Sequence, residues 1–587
     1  MPSSLVDGNS LLAVDVGAAN TRAVLFDVVE GEYRFVASGI APSTAEAPYK
    51  DVSEGARNAI ASLQDVLGRA LLDNARTLIT PGQANGSGVD ALVVTLSAGP
   101  IIKTVIVGLL QDVSLESARR LTASTYTRVV DTIGLNDRRN PSEQIDSILR
   151  LRPDLVVITG GTDGGASRSI QKLLEPIGLA SFLLPEEKRP AVLYAGNQKM
   201  EDEVKNLVGS LAASLHFTPN IRPSLETEDL DPAERELAHM FIGIRKRQIK
   251  GVDTLDLWAG GHMLPTAYAT GRMVRFLAKV YGSSKGILSV DIGASASVIS
   301  AGFKGSSTLN VYPQFGLGEN LAELLNYTTL EDILRWSPID ISTGALRDYL
   351  HQKSLHPSTI AATKEDYAIS QAIARQSLYL AMQSARRDFP KNIAYIKPTL
   401  TPLFEPILAG GGALSDAARP GQGLLLLLDS IQPVGVTTVI LDQNNLLPLL
   451  GAAAAQNNVL PVQVMESGAF LSVGTVVSPV VSASHGSSIM RAKLTYENGT
   501  EARMDLKYGA LETLPLRTGE VGKLTVQLQR GADIGFGPGR APREPMSVAG
   551  GALGLVLDGR GRPLGLPADA GRRRELIKKW NWTLGGE

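Results

Sequence analysis

Residues 15–22 read Asp-Val-Gly-Ala-Ala-Asn-Thr-Arg, and about halfway along the chain residues 291–297 read Asp-Ile-Gly-Ala-Ser-Ala-Ser, each after an apolar run. A strand that ends in Asp-x-Gly and reverses through small residues brings backbone N–H groups and a hydroxyl close to an anion such as phosphate, while its Asp reaches a hydrated metal ion. One such turn alone is also what a plain β-hairpin looks like. Two of them at matching points of two similar halves constrain the chain far more, because they make it a duplication whose turns can face each other as a phosphate clamp.

The surrounding pattern supports the duplication. In the first half, residues 11–36 form a strand, turn and strand meander, and residues 51–72 place Ala56, Ile60, Leu63, Leu67 and Leu71 on one helical face. Strands follow at 91–97 and 101–109. A buried strand at 155–159 runs into Gly160-Gly-Thr-Asp-Gly-Gly165 and a helix; a strand at 191–195 and a helix at 199–215 read as a small α/β insertion. The second half repeats the order: strand 286–290, turn, strand 298–302, helices 319–336 and 367–387, then a strand at 406–408 ahead of Gly410, Gly411 and Gly412, and a small-residue helix at 446–455. After about residue 460 the texture changes to short β-like runs. The clearest is a hairpin over 492–507 around Asn498-Gly499, and the tail over 572–582 reads as a basic helix.

At 587 residues the chain exceeds a single core and predicts three or four domains. A net charge of −2 supplies no field for nucleic acid or an anionic membrane, and apolar stretches such as 424–428 fall well short of the ~18 residues a spanning helix needs. Neither nucleic acid nor a membrane span is expected. The absence of cysteine excludes disulfides, thiolate metal sites, iron–sulfur clusters and cysteine nucleophiles. The first ten residues lack a basic segment followed by a long apolar one, which reads as cytoplasmic. The six histidines, Lys103 and Lys285 show no spacing that requires a metal or a base.

In the first turn, Asp15 is the expected magnesium residue, Gly17 permits close approach, and Ala18, Asn20 and Thr21 offer amides and a hydroxyl to phosphate, with Arg22 able to add charge. In the second, Asp291, Gly293, Ser295 and Ser297 repeat the design. The triple glycine 410–412 lets a sugar or flat ring lie against bare backbone. Gly160, Gly161 and Thr162 read as a third phosphate-facing loop. Asp163 has two readings: it orients a water or metal, or it caps the helix that follows.

Facing Asp-x-Gly turns, a glycine-rich loop and duplicated halves resemble the superfamily of ATP-clamping proteins that holds actin, the large heat-shock chaperones and the sugar kinases. Residues 98–109, the Leu155 to Gly165 run with its Thr-Gly-Gly-Thr-Asp-Gly-Gly, Tyr194-Ala-Gly-Asn197, Leu264-Pro-Thr-Ala267 and the 406–412 run resemble the MutL (GlmL) family associated with glutamate mutase, over about residues 11–455. The resemblance implies a two-lobed α/β, actin-like and ribonuclease H-like duplicated ATPase fold with an added C-terminal β-rich domain. The expected layout is a first lobe at 1–185, an α/β insertion and linker at 186–263, a second lobe at 264–459 and a β-rich domain with a basic helical tail at 460–587. It implies ATP and Mg2+ as ligands, with Asp15, Gly17 and Thr21 on the first phosphate motif, Asp291 and Gly293 on the second and residues 410–412 on the adenosine. The implied role is an accessory factor that protects or reactivates an adenosylcobalamin-dependent mutase. The family's second motif usually runs Asp-x-Gly-Gly-Ala-Thr-Thr-Asp; here Ala294 replaces a glycine, Ala296 and Ser297 stand for the threonines, and Val298 replaces the closing acid. These departures predict that binding survives better than turnover. They also favour an alternative, an actin or cell-division type of scaffold that forms homo-oligomers or filaments or recruits partners.

Overall fold

The structure, a computed structural model, describes residues 9–281, 284–415 and 417–586. Most of the opening stretch that carries the cytoplasmic reading lies outside them. In the first lobe, β1 (Leu11–Val16), β2 (Asn20–Val29) and β3 (Glu32–Pro42) form an antiparallel meander that β4 (Ala91–Leu96) and β10 (Leu264–Pro265) extend in parallel, in the order β10-β4-β1-β2-β3. In the second, β11 (Gly286–Ile292), β12 (Ser297–Phe303) and β13 (Ser306–Tyr312) are antiparallel, and β14 (Phe404–Gly410) and β15 (Gly435–Leu441) follow in parallel. The two sheets share one strand order. This is the duplicated α/β fold expected of the sequence.

Local signals explain where the elements stop. Helix α1 (Val52–Leu67) is capped by Asp51, whose carboxylate accepts from the Ser53 amide, and it ends at Gly68 in the left-handed region. It is therefore shorter than the 51–72 periodicity suggests, and Leu71 packs from the loop beyond. Helices α4 (Thr266–Tyr281), α7 (Leu446–Ala453) and α8 (Val459–Glu466) lie between the two sheets, where Leu11, Val24, Phe26, Met273, Leu408, Leu449 and Val464 share one core. The outer face of the first sheet packs on α1 and α3 (Asp231–Gln248), that of the second on α5 (Lys364–Ala385) and α6 (Pro420–Ser430).

Two boundaries differ from the sequence reading. The insertion begins near residue 102 rather than 186: β5 (Ile102–Val107), β6 (Thr127–Ile133), β7 (Leu155–Ile158), β8 (Ala191–Tyr194) and β9 (Ser214–Phe217) form their own parallel sheet in the order β6-β5-β7-β8-β9. The 199–215 helix is a shorter one, Glu201–Val208, because the chain turns into β9. The C-terminal region is likewise not separate from residue 460. β16 (Leu471–Ser478) pairs antiparallel with β15, and β22 (Leu555–Asp558) and β19 (Leu511–Leu514) continue the second sheet to eight strands. Only β17 (Ser488–Thr495), β18 (Glu501–Lys507), β20 (Val521–Leu528) and β21 (Met546–Ala549) form a sheet of their own, and Leu494, Leu506 and Leu524 on it share a core with Val477, Leu514 and Leu557 of the longer sheet. The β17–β18 hairpin forms as read, with only Gly499 of the Asn-Gly pair at positive φ. The tail is helix α9 (Ala570–Thr583), packed on α6. Among the described residues no helix is long and apolar enough to cross a membrane.

Candidate functional site

The two Asp-x-Gly turns have the same bonding. The Gly17 N–H donates to the Asn20 carbonyl at 3.0 Å, and the Gly293 N–H donates to the Ala296 carbonyl at 3.0 Å. Across each hairpin Asp15 sits opposite Arg22 and Asp291 opposite Val298, while Val16 pairs with Thr21 and Ile292 with Ser297. One constant offset along the chain therefore superposes every position of the first turn on the second. On the parallel side the match is geometric but not chemical: Asp15 lies beside Thr95 and Asp291 beside Gly410.

Both turns open into one pocket, lined by Asp15, Gly17, Ala18 and Asn20 from the first lobe and by Asp291, Gly293 and Ser295 from the second, with Gly411 and Gly412 at its side. Gly411 has a φ of +91°, and a Cβ there would stand 2.5 Å from the Ile292 amide nitrogen, so only glycine lets this loop close against the second turn. The Ser295 hydroxyl is buried without a partner and borders the pocket. Residues 316–318 brace the second turn from behind: the Leu317 and Gly318 amides donate to the carbonyls of Gly293 and Ala294 at 3.0 and 2.9 Å.

The other expected residues lie elsewhere. Thr21 and Ser297 are fully buried behind their turns, and the Ser297 hydroxyl donates to the Phe315 carbonyl at 2.8 Å, so neither lines the pocket. Gly410 stands beside Asp291, just behind the lining. Gly160, Gly161, Thr162 and Asp163 follow β7 in the inserted sheet and contribute nothing to this pocket. Asp163 accepts from Asn220 at 3.0 Å and does not cap α2 (Ser167–Leu183), whose N-cap residue is Ala166.

The two aspartates differ in their surroundings. Asp15 Oδ1 accepts from the hydroxyls of Thr95 at 2.7 Å and Thr266 at 2.9 Å, and its Oδ2 accepts from Asn445 Nδ2 at 2.9 Å. Burial still raises its pKa, against the pull of those bonds and of Arg22. Asp291 has glycine where Asp15 has Thr95, and among the described residues nothing donates to it. Burial, followed by the charges of Asp15 and Asp442, pushes Asp291 up to about 7. Burial also raises Asp442, although the Leu446 and Leu447 amides donate to it at 2.8 and 2.7 Å. Beside the pair, the Tyr126 phenol is pushed upward by burial and by the charges of Asp291 and Asp15.

The lobes touch across this pocket. Asn445 belongs to the second lobe and is held at φ 53°, with its Oδ1 buried and unpartnered; its Nδ2 bonds to Asp15 of the first lobe. Arg22 donates to the Gln443 carbonyl at 3.3 Å alongside. Sequence reasoning passed over Thr95, Tyr126, Asp442 and Asn445, and quoted Thr266 only as part of a motif. The one local signal was Asp442 four residues ahead of the apolar run that starts at Leu446, an acid placed to accept from the first amides of a helix. The rest arrive by tertiary pairing alone.

Among the described residues no three His, Cys, Asp or Glu side chains gather into a direct metal cage. A magnesium ion that keeps most of its waters and is shared with phosphate needs only one or two carboxylates, which Asp15 and Asp291 provide, and the unpartnered Ser295 Oγ and Asn445 Oδ1 are free to bond to the phosphate and the water shell. The residues fit that group.

Comparison with known proteins adds independent findings. The family described as MutL protein matches residues 11–468. The curated Protein MutL of Clostridium tetanomorphum is 23% identical over 359 residues, covering 56% of this chain and 73% of its own. Among solved structures, the ethanolamine utilization protein EutJ from Carboxydothermus hydrogenoformans is 10% identical, with 77% of this chain and 91% of that one covered at a TM-score of 0.28. A diol dehydratase-reactivating factor in nucleotide-free form is 11% identical, with 78% and 99% covered at a TM-score of 0.29.

Proposed function

The chain belongs to the MutL protein family, and from that premise we propose that it is an ATP-dependent accessory factor for a cobalamin-dependent enzyme, an adenosylcobalamin mutase such as glutamate mutase in the finer form of the proposal. The observation that carries the reading is the pair of register-matched turns opening from opposite lobes into one pocket. A polyphosphate gripped from both sides binds the closed arrangement better than the open one, and that differential affinity is the source of any work done on a partner.

In this reading the amides of Ala18, Ala19, Ala294 and Ser295 face the phosphates, the Ser295 hydroxyl donates to one of them, and Asp15 and Asp291 hold magnesium through its water shell. When bound, the metal supplies charge neutralisation of the phosphates. Asp15 is anchored by three hydrogen bonds, so it acts as a fixed point, whereas Asp291 is free to exchange a proton near neutrality. Val298 stands where the family's closing acid would be, which supports binding with slow turnover rather than rapid hydrolysis.

Calorimetric titration of the full chain with Mg-ATP tests the clamp. Micromolar-range binding that Asp15→Ala abolishes is the expected result, followed by phosphate release that rises when a cobalamin mutase is added. Absence of binding sinks the clamp. Binding with release indifferent to the mutase, together with sedimenting polymers, replaces the accessory role with the scaffold.

A further inference from the structure

The inserted sheet reaches the interlobe pocket with one side chain. Tyr126, the residue before β6, lines that pocket alongside Asp15 and Asp291, although the sheet of neither lobe supplies it. Its backbone is fixed, since its carbonyl accepts from the Ile102 amide of β5 at 3.1 Å, and its ring centroid lies 5.6 Å from that of Phe241 on α3. The insertion is in turn held by the second lobe. The Val311 amide on β13 donates to the Ala123 carbonyl at 2.7 Å, and Arg119 pairs with Asp388 at 2.9 Å. Tyr126 therefore stands at a point clasped from both sides of the cleft.

Its surroundings decide what the phenol can offer there. Burial and the charges of Asp291 and Asp15 raise its pKa further above neutrality, so it keeps its proton and cannot serve as a base. The Ala267 amide, in the first turn of α4 where helix donors lack intrahelical partners, and the Ser97 hydroxyl both interact with the phenol oxygen. Among the described residues no carbonyl or carboxylate accepts its proton. A phosphate oxygen between the turns is the acceptor this site lacks, and a neutral donor to an anion forms a strong bond.

Resting on the clamp reading, we infer that Tyr126 is a direct contact of the bound nucleotide, its hydroxyl donating to a phosphate oxygen held between the two turns. The pocket then has three walls, one from each lobe and one from the insertion. A nucleotide that fills it touches the insertion directly.

Calorimetric titration with Mg-ATP compares the unmodified full chain, Tyr126→Phe and the chain carrying 3-fluorotyrosine at position 126, with thermal melts to confirm that each is folded. Loss of a bond to a charged oxygen predicts affinity at least about tenfold lower for Tyr126→Phe. Fluorotyrosine is bulkier yet keeps the hydroxyl, so it should bind as tightly as tyrosine, whereas a side chain that only fills space would suffer more from the added fluorine than from the lost hydroxyl. Its fluorine resonance should move when Mg-ATP is added. Undiminished affinity in Tyr126→Phe, or a fluorine resonance that stays put at saturating Mg-ATP, overturns the role of Tyr126 and leaves the clamp standing. No binding by the unmodified chain removes the clamp itself and this role with it.

Discussion

The contrast between Asp15 and Asp291 is the most consequential difference between two side chains in this protein. They occupy equivalent positions, yet one neighbour is Thr95 and the other Gly410, so one carboxylate is tied and the other is bare. The bare one carries a pH signature. Its folded pKa of about 7 lies above the ordinary value of 3.8, so between these values the folded chain holds a proton that the unfolded chain has released. Stability that is complete at low pH is therefore lost as pH rises towards 7. At pH 8, Asp291→Asn should stabilise the ligand-free protein by about 1–3 kcal/mol, a range kept modest because the carboxylate borders the pocket, and at pH 4 the difference should vanish. Paired thermal melts check this. The same variant should bind Mg-ATP at least about tenfold more weakly at pH 8, since it has lost a charge that faces the metal. Asn445→Gly keeps the left-handed backbone at no strain and removes the amide that reaches Asp15; a loss of about 1–2 kcal/mol in denaturant melts is expected.

At the scale of elements, much of the design was legible. The strand, turn and strand units around Asp15 and Asp291 were, because alternation and an Asp-x-Gly reversal are local properties. So was the glycine loop at 410–412, where Gly411→Ala should cost about 2–4 kcal/mol by chemical denaturation through its positive φ and its contact with the Ile292 backbone. What stayed hidden was pairing. Nothing in residues 101–109 announces that β5 joins β7 rather than β4, and nothing in 471–478 announces that β16 extends the second sheet. Parallel partners are distant in sequence, and an apolar run buried on both faces reads the same in any sheet. Gly160 to Asp163 fall outside the clamp for the same reason: the loop has phosphate-loop composition, but the strand before it belongs to the inserted sheet, and the loop does not line the pocket.

At the scale of the whole molecule, a buried charge network ties the second lobe to the C-terminal strands and the tail helix. Asp558 on β22 pairs with Arg560 at 2.9 Å and Arg562 at 2.6 Å; Arg560 also reaches Asp429 on α6 at 2.6 Å, and Asp429 pairs with Arg375 on α5. Burial works against the Asp558 charge, yet the two arginines hold it far below the usual carboxylate range. Arg560 also lies 4.7 Å from the Trp580 ring centroid, which joins the network to α9. Removing one partner strands the others as unpaired buried charges, so Asp558→Asn should cost about 3–5 kcal/mol and change Trp580 emission before the rest of the chain unfolds. A variant that melts in a single unshifted transition would show that the tail is not held this way.

The eight-stranded sheet has a mechanical consequence. Because β16, β22 and β19 are hydrogen-bonded into the same plank as β11 and its Asp-x-Gly turn, the hairpin module resting on their far end is mounted like a pennant on a stiff mast. Any tilt of the plank would carry the pennant with it, because the two share one core.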